Sequence, residues 1–78
     1  MKLEDARQQF PPLWVIYDHP SDAPKKFVVR VWYGLVPESE STHHDTVEDA
    51  RVSIWMRGGC VGFKRDDSDD PTILECWI

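Results

Sequence analysis

Apolar and polar positions change period several times along this chain, and each change marks an element. Leu3, Ala6, Arg7 and Phe10 fall at i, i+3, i+4 and i+7, a one-sided helical pattern. Pro11-Pro12 ends it, so this segment is a frayed arm or a short docked helix. Leu13 to Tyr17 is a short β-branched and aromatic run that predicts a first strand. The turn-rich stretch from Asp18 to Pro24 separates it from Lys26–Gly34, the clearest strand. There Phe27, Val29, Val31 and Tyr33 share one face, and Val28, Arg30 and Trp32 share the other. After Pro37 the chain turns polar, with room for a short edge strand near Ser41–His44. Thr46–Met56 predicts the main helix, capped by Asp45 or Thr46, with Glu48 and Asp49 in its first turn. Its inward stripe is Val47, Ala50 and Ile54, and Gly58-Gly59 stops it. Cys60–Arg65 and Thr72–Ile78 predict a closing hairpin. A hairpin symmetric about Ser68 sets Cys60 opposite Cys76, Gly62 opposite Leu74 and Val61 opposite Glu75.

The element order ββ(β)αββ predicts an α+β fold: an antiparallel sheet of four to five strands with one main helix on one face. Residues 1–12 form an N-terminal arm and residues 13–78 a single domain, since 78 residues leave no room for a second. One helix covers one face only, yet both faces of these strands carry apolar side chains. In the closing hairpin, Leu74, Cys76 and Ile78 share one face, and Val61, Phe63, Ile73 and Trp77 share the other. The second face therefore calls for a cover: the arm with Phe10, a partner chain or a second copy.

Charge narrows the classes of function. Nine basic residues stand against 14 acidic ones, a net of −5. Residues 1–39 are balanced, five against five, so the excess lies in residues 40–78, with four basic and nine acidic. This argues against a nucleic-acid binder, which needs a basic footprint, and against a protein held on an anionic membrane. A chain lacking an apolar run near 18 residues and beginning Met1-Lys2-Leu3-Glu4-Asp5 predicts neither a membrane span nor a secretory signal. Two cysteines, Cys60 and Cys76, outside any zinc spacing, predict reduced and buried thiols in a cytoplasmic protein.

Three stretches invite a chemical reading, and each has a plainer one. Asp18-His19 pairs an acid with an imidazole, but neighbours in an extended chain point apart, and a turn is the better reading. His43-His44-Asp45 offers metal-ligand types, but adjacent strand residues face opposite sides and chelate poorly. Asp66-Asp67-Ser68-Asp69-Asp70 is too short for an EF-hand and lacks its glycine and closing glutamate. The chain is accordingly expected to have no catalytic residues, no metal and no cofactor.

The segment Trp14–Val31, WVIYDHPSDAPKKFVVRV, resembles the opening of small uncharacterised phage, prophage and bacterial proteins with a YDHP-type strand and turn. The helix start Asp45–Arg51 and the acidic DDP before the last strand are also similar. The resemblance implies a compact α+β domain without an assigned activity. In size and acidity the chain is also similar to anti-CRISPR proteins, which inhibit by binding an effector complex. That likeness implies a non-enzymatic, protein-binding inhibitor of phage or mobile-element origin, in the host cytoplasm. Its partner would be a host protein or nucleoprotein complex whose basic, nucleic-acid-binding surface it blocks. The expected partner-binding set is Glu40, Asp45, Glu48, Asp49, Asp66, Asp67, Asp69 and Asp70 for steering, with Trp32, Phe63 and Trp77 as aromatic anchors. The alternative is a small structural or interaction protein: a homodimer, an antitoxin-like chain or a virion accessory subunit.

Overall fold

The structure, a computed structural model, describes residues 1–20, 24–64 and 72–78. Its elements are α1 (Leu3–Gln9), β1 (Pro12–Asp18), β2 (Phe27–Tyr33), β3 (Val36–Pro37), β4 (Thr42–His44), α2 (Val47–Met56), β5 (Gly62–Lys64) and β6 (Ile73–Trp77). The fold is α+β. Six antiparallel strands run in the order β3-β2-β1-β6-β5, and β4 shares the outer edge of β2 with β3. β4 is the short edge strand expected near Ser41–His44, and the one strand beyond the expected four to five is β3, a two-residue piece just before the polar stretch.

β1 and β2 pair along their full length, from Pro12 opposite Tyr33 to Asp18 opposite Phe27. Pro12 is tolerated because it is the first residue of its strand. The chain then crosses one face of the sheet as α2, from the β4 edge to the β5 edge. Trp14, Ile16, Val29 and Val31 from the sheet meet Ala50 and Ile54 from α2 and form the core. Gly59 follows the helix so closely over Ile54 that a Cβ there would stand 2.3 Å from Ile54 Cγ2. The Trp14 indole N–H is buried and has no acceptor among the described residues, which costs about 1–3 kcal/mol.

The N-terminal arm is a docked helix. Ala6 is fully buried, and Arg7 holds the Glu38 carboxylate through Nε and Nη2 at 2.7–3.1 Å. The Phe10 ring lies on Gly34, whose φ of +63° opens the two-residue turn between β2 and β3. A Cβ at Gly34 would stand 3.0 Å from that ring.

The closing hairpin departs from the symmetric pairing. Gly62 faces Trp77, Phe63 faces Cys76 and Lys64 faces Glu75. The glycine decides this: a Cβ at Gly62 would meet the Trp77 indole at 2.5 Å, so only here can the ring lie across β5. Cys60 therefore does not face Cys76. It falls beyond the strand, where its N–H donates to the Ile78 carbonyl at 2.8 Å, and it is exposed while Cys76 is buried. Neither cysteine is in a disulfide. A bulge where β1 meets β6, between Ile16 and Tyr17, alters the expected faces again. Leu74 and Trp77 pack on the helix side, whereas Ile73, Cys76 and Phe63 share the opposite face. Strict alternation along an unbroken hairpin had put Leu74 with Cys76 and Phe63 with Trp77.

Candidate functional site

Helix α2 starts as its sequence dictates. The Thr46 hydroxyl accepts the Asp49 N–H at 3.1 Å, and Glu48 and Asp49 complement the positive end. Ala50 and Ile54 point into the core, while Val47 is half-buried. The opposite side of the same helix is also apolar. Val52, Trp55 and Met56 are 53%, 69% and 76% exposed. With Glu48 they stand at i, i+4, i+7 and i+8, one continuous stripe facing solvent. Trp and Met are residue types that anchor protein interfaces. Reading α2 for its inward stripe misses this second one. The signal was present, since a ten-residue helix with Val47, Ala50, Ile54, Val52, Trp55 and Met56 has more apolar residues than one face holds.

The four described members of the expected acidic set are all exposed, and they gather on the helix side. Glu40 shares a depression of about 220 Å3 with Val29, Thr42 and Arg57, on the α2 side of the sheet. Asp45 binds Lys26 Nζ, and that ammonium holds its carboxyl below the usual carboxylate range. Asp49 accepts from His44, and Glu48 lies near the charge of Arg51. Asp66, Asp67, Asp69 and Asp70 lie outside the described residues.

Below the stripe, Arg51 reaches the sheet. Its Nε and Nη2 donate to the two Glu75 oxygens at 2.8 and 2.9 Å, and the Trp77 indole donates to Glu75 Oε1 at 2.9 Å. The Arg51 hydrogen bonds, with a smaller help from Trp77, hold the Glu75 carboxyl below its usual range, against the effect of burial. Trp77 thereby packs against the core on the helix side of the sheet, not on the face that carries Phe63.

The expected anchors Trp32 and Phe63 lie on the face that α2 leaves uncovered. Leu13, Val15, Tyr17, Trp32, Phe63, Ile73 and Cys76 line a shallow depression of about 370 Å3 there, and no residue of α1 joins them. The arm is therefore not the cover for this face. The Trp32 indole donates to the Tyr17 hydroxyl at 3.1 Å, which fixes both rings. Arg30, paired with Val15 on this face, donates to the Glu38 carbonyl at 2.8 Å. The sheet thus separates the four described members of the acidic set from Trp32 and Phe63.

The histidines behave as local locks. His44 and Thr42 share a face of β4, and the His44 ring joins Asp49 Oδ2 through Nδ1 (2.8 Å) and Thr42 Oγ1 through Nε2 (2.9 Å). The series hydroxyl–imidazole–carboxylate has the order of an activated nucleophile. It also ties an edge strand to the first turn of α2. His43 faces the other way, 3.5 Å from Ser41 Oγ, and no group of three potential metal ligands occurs among the described residues. Asp18 and His19 do touch, because a φ of +50° at His19 breaks the alternation expected to part them. The His19 N–H closes the turn onto the Lys26 carbonyl at 3.2 Å, so the contact belongs to the turn.

Among the described residues, no helix is long and apolar enough to cross a membrane. Comparison with protein-family models, with curated proteins and with solved structures finds no match to this chain.

Proposed function

We propose that this chain is a non-enzymatic, protein-binding inhibitor that uses the outer side of α2 and the acids around it. One observation carries the reading: the solvent-facing stripe of Val52, Trp55 and Met56, headed by Glu48. Burying three large apolar side chains on one helix face supplies the energy of a small interface, and acids at its margin select a basic partner. The net charge of −5 favours the same partner. Size and acidity of the anti-CRISPR kind suggest a phage or mobile-element origin. They also suggest, as the target, a basic nucleic-acid-binding surface in a host defence complex.

Affinity capture from host lysate tests this, with wild-type chain, Trp55→Ser and Glu48→Lys side by side. The reading expects a protein with a basic nucleic-acid-binding surface on the wild type. About 0.5 M salt should release it, and both variants should lose it while remaining folded. Equal capture by all three, indifferent to salt, would sink the proposal. The non-enzymatic part is tested with p-nitrophenyl acetate: turnover by the wild type that His44→Ala abolishes would make the Thr42–His44–Asp49 series a working site.

A further inference from the structure

We infer that Thr42 is an activated nucleophile, and that its hydroxyl is a covalent modification site for short acyl groups carried on activated esters or thioesters. Three side chains and an open depression meet there. Thr42 and His44 share one face of β4, and Asp49 comes from the first turn of α2. A carboxylate only accepts hydrogen bonds. Asp49 Oδ2, 2.8 Å from His44 Nδ1, therefore places the proton of the neutral imidazole on Nδ1. Nε2 keeps its lone pair, 2.9 Å from Thr42 Oγ1, and accepts the hydroxyl proton. The His44 side chain is only 11% exposed, which holds the ring in this orientation, while Thr42 is exposed. Tying β4 to α2 needs the Nδ1 contact alone. Thr42 lies on the same strand as His44, so its bond bridges no elements, and what it adds is a base at the hydroxyl.

The depression gives that hydroxyl room to react. Thr42 lines the hollow of about 220 Å3 together with Val29, Ser41 and Arg57. Arg57 is the one cation among the lining residues, and a cation there favours the negative charge that develops on an acyl oxygen. Ser41 supplies an internal contrast. Its hydroxyl lines the same hollow, but its Oγ stands 3.5 Å from His43 Nε2, and no carboxylate backs His43 among the described residues. In the acyl transfer, Thr42 Oγ1 bonds to the acyl carbon while its proton passes to His44 Nε2. The bond from the acyl carbon to the donor's oxygen or sulfur breaks, and the leaving group takes the proton from Nε2. The product is a threonine ester. Its own leaving group is a secondary alkoxide, far poorer than a phenolate or a thiolate, so the ester is kept rather than hydrolysed. The chain thus takes up one acyl group without turning over, and the inference does not rest on the protein-binding role proposed above.

Intact-mass spectrometry of the full chain treated with p-nitrophenyl acetate, followed by peptide mapping, tests this. The expected result is one acetyl group on Thr42, removed by hydroxylamine, which cleaves an ester and spares an acetylated lysine. His44→Ala should slow acetylation of Thr42 at least about 100-fold. Asp49→Asn changes an exposed side chain and should slow it at least about tenfold, with an unchanged circular dichroism spectrum. Thr42→Val should abolish the ester, Thr42→Ser should retain it, and Ser41→Ala should leave its rate unchanged. Acetylation confined to lysines, Cys60 or Ser41 overturns the inference. So does acetylation of Thr42 at the wild-type rate in both His44→Ala and Asp49→Asn, because Thr42 would then react as any exposed hydroxyl. Release of p-nitrophenolate far beyond one equivalent per chain, lost in Thr42→Val, would overturn the retained ester and the non-enzymatic reading together.

Discussion

Ile54 and Trp55 are neighbours in sequence on one helix, and the rotation of α2 gives them opposite fates. Ile54 is fully buried among Trp14, Ile16, Val29, Val31 and Ala50, while Trp55 is 69% exposed. Ile54→Ala removes three buried carbons at about 0.8 kcal/mol each and leaves a cavity that Gly59 and the sheet close only in part. The sum is about 3 kcal/mol, a large share of the total for a 78-residue domain, which stands at about 4–12 kcal/mol. At about 4–8 °C per kcal/mol, the melting temperature should fall by roughly 12–24 °C. Trp55→Ser deletes a larger side chain, yet it should change stability by less than about 0.5 kcal/mol, because the ring already faces water. Thermal and urea unfolding followed by far-ultraviolet circular dichroism measure both. Acrylamide quenching gives an independent check, since the readily quenched part of the tryptophan emission should vanish in Trp55→Ser. The reasoning is refuted if Ile54→Ala costs under about 0.5 kcal/mol, or if Trp55→Ser costs more than about 1.5 kcal/mol. Either result would mean that α2 is rotated, and the stripe on which the proposed function rests would be lost with it.

Two further outcomes follow from the sheet. A thiol reagent should label Cys60 rapidly and Cys76 only at the rate of unfolding, because Cys60 is exposed and Cys76 buried; equal rates would restore the symmetric hairpin. Because Glu75 has a lowered folded-state pKa, the unfolded chain takes up its proton first as pH falls. The stability contributed by the Arg51–Glu75 bond is thus complete above the ordinary carboxyl pKa of 4.5 and is lost as pH falls through the folded value. Glu75→Gln should flatten this acid limb of the stability curve; an unchanged limb would show that other carboxylates carry it.

What the chain announces by itself is whatever depends on near neighbours. The period of two from Phe27 to Tyr33 sorts the side chains of β2 into two faces, and the observed core takes Val29 and Val31 from one of them, with Phe27 and Tyr33 packed alongside. Thr46, the acidic first turn and Gly58-Gly59 bound α2 within a residue of where it lies. The charge asymmetry between the two halves is likewise a property of composition. The tertiary structure decided everything that depends on how distant segments meet. A local pattern cannot reveal that Trp77 needs a glycine opposite it, so the hairpin register, the fate of Cys60 and the placing of Phe63 all follow from Gly62. Nor can it foresee a bulge at Ile16, which puts Leu74 and Ile73 on the faces opposite to those that simple alternation assigns. The candidate sites fall on the same side of this divide. The acids and aromatics were all legible as residues, but only the sheet between them shows that Trp32 and Phe63 lie away from Glu40, Asp45, Glu48 and Asp49. Only the packing of Ile54 shows that Trp55 stands beside it. A strand's period says which side chains share a face; which face the rest of the molecule covers is settled by the path of α2 across the sheet.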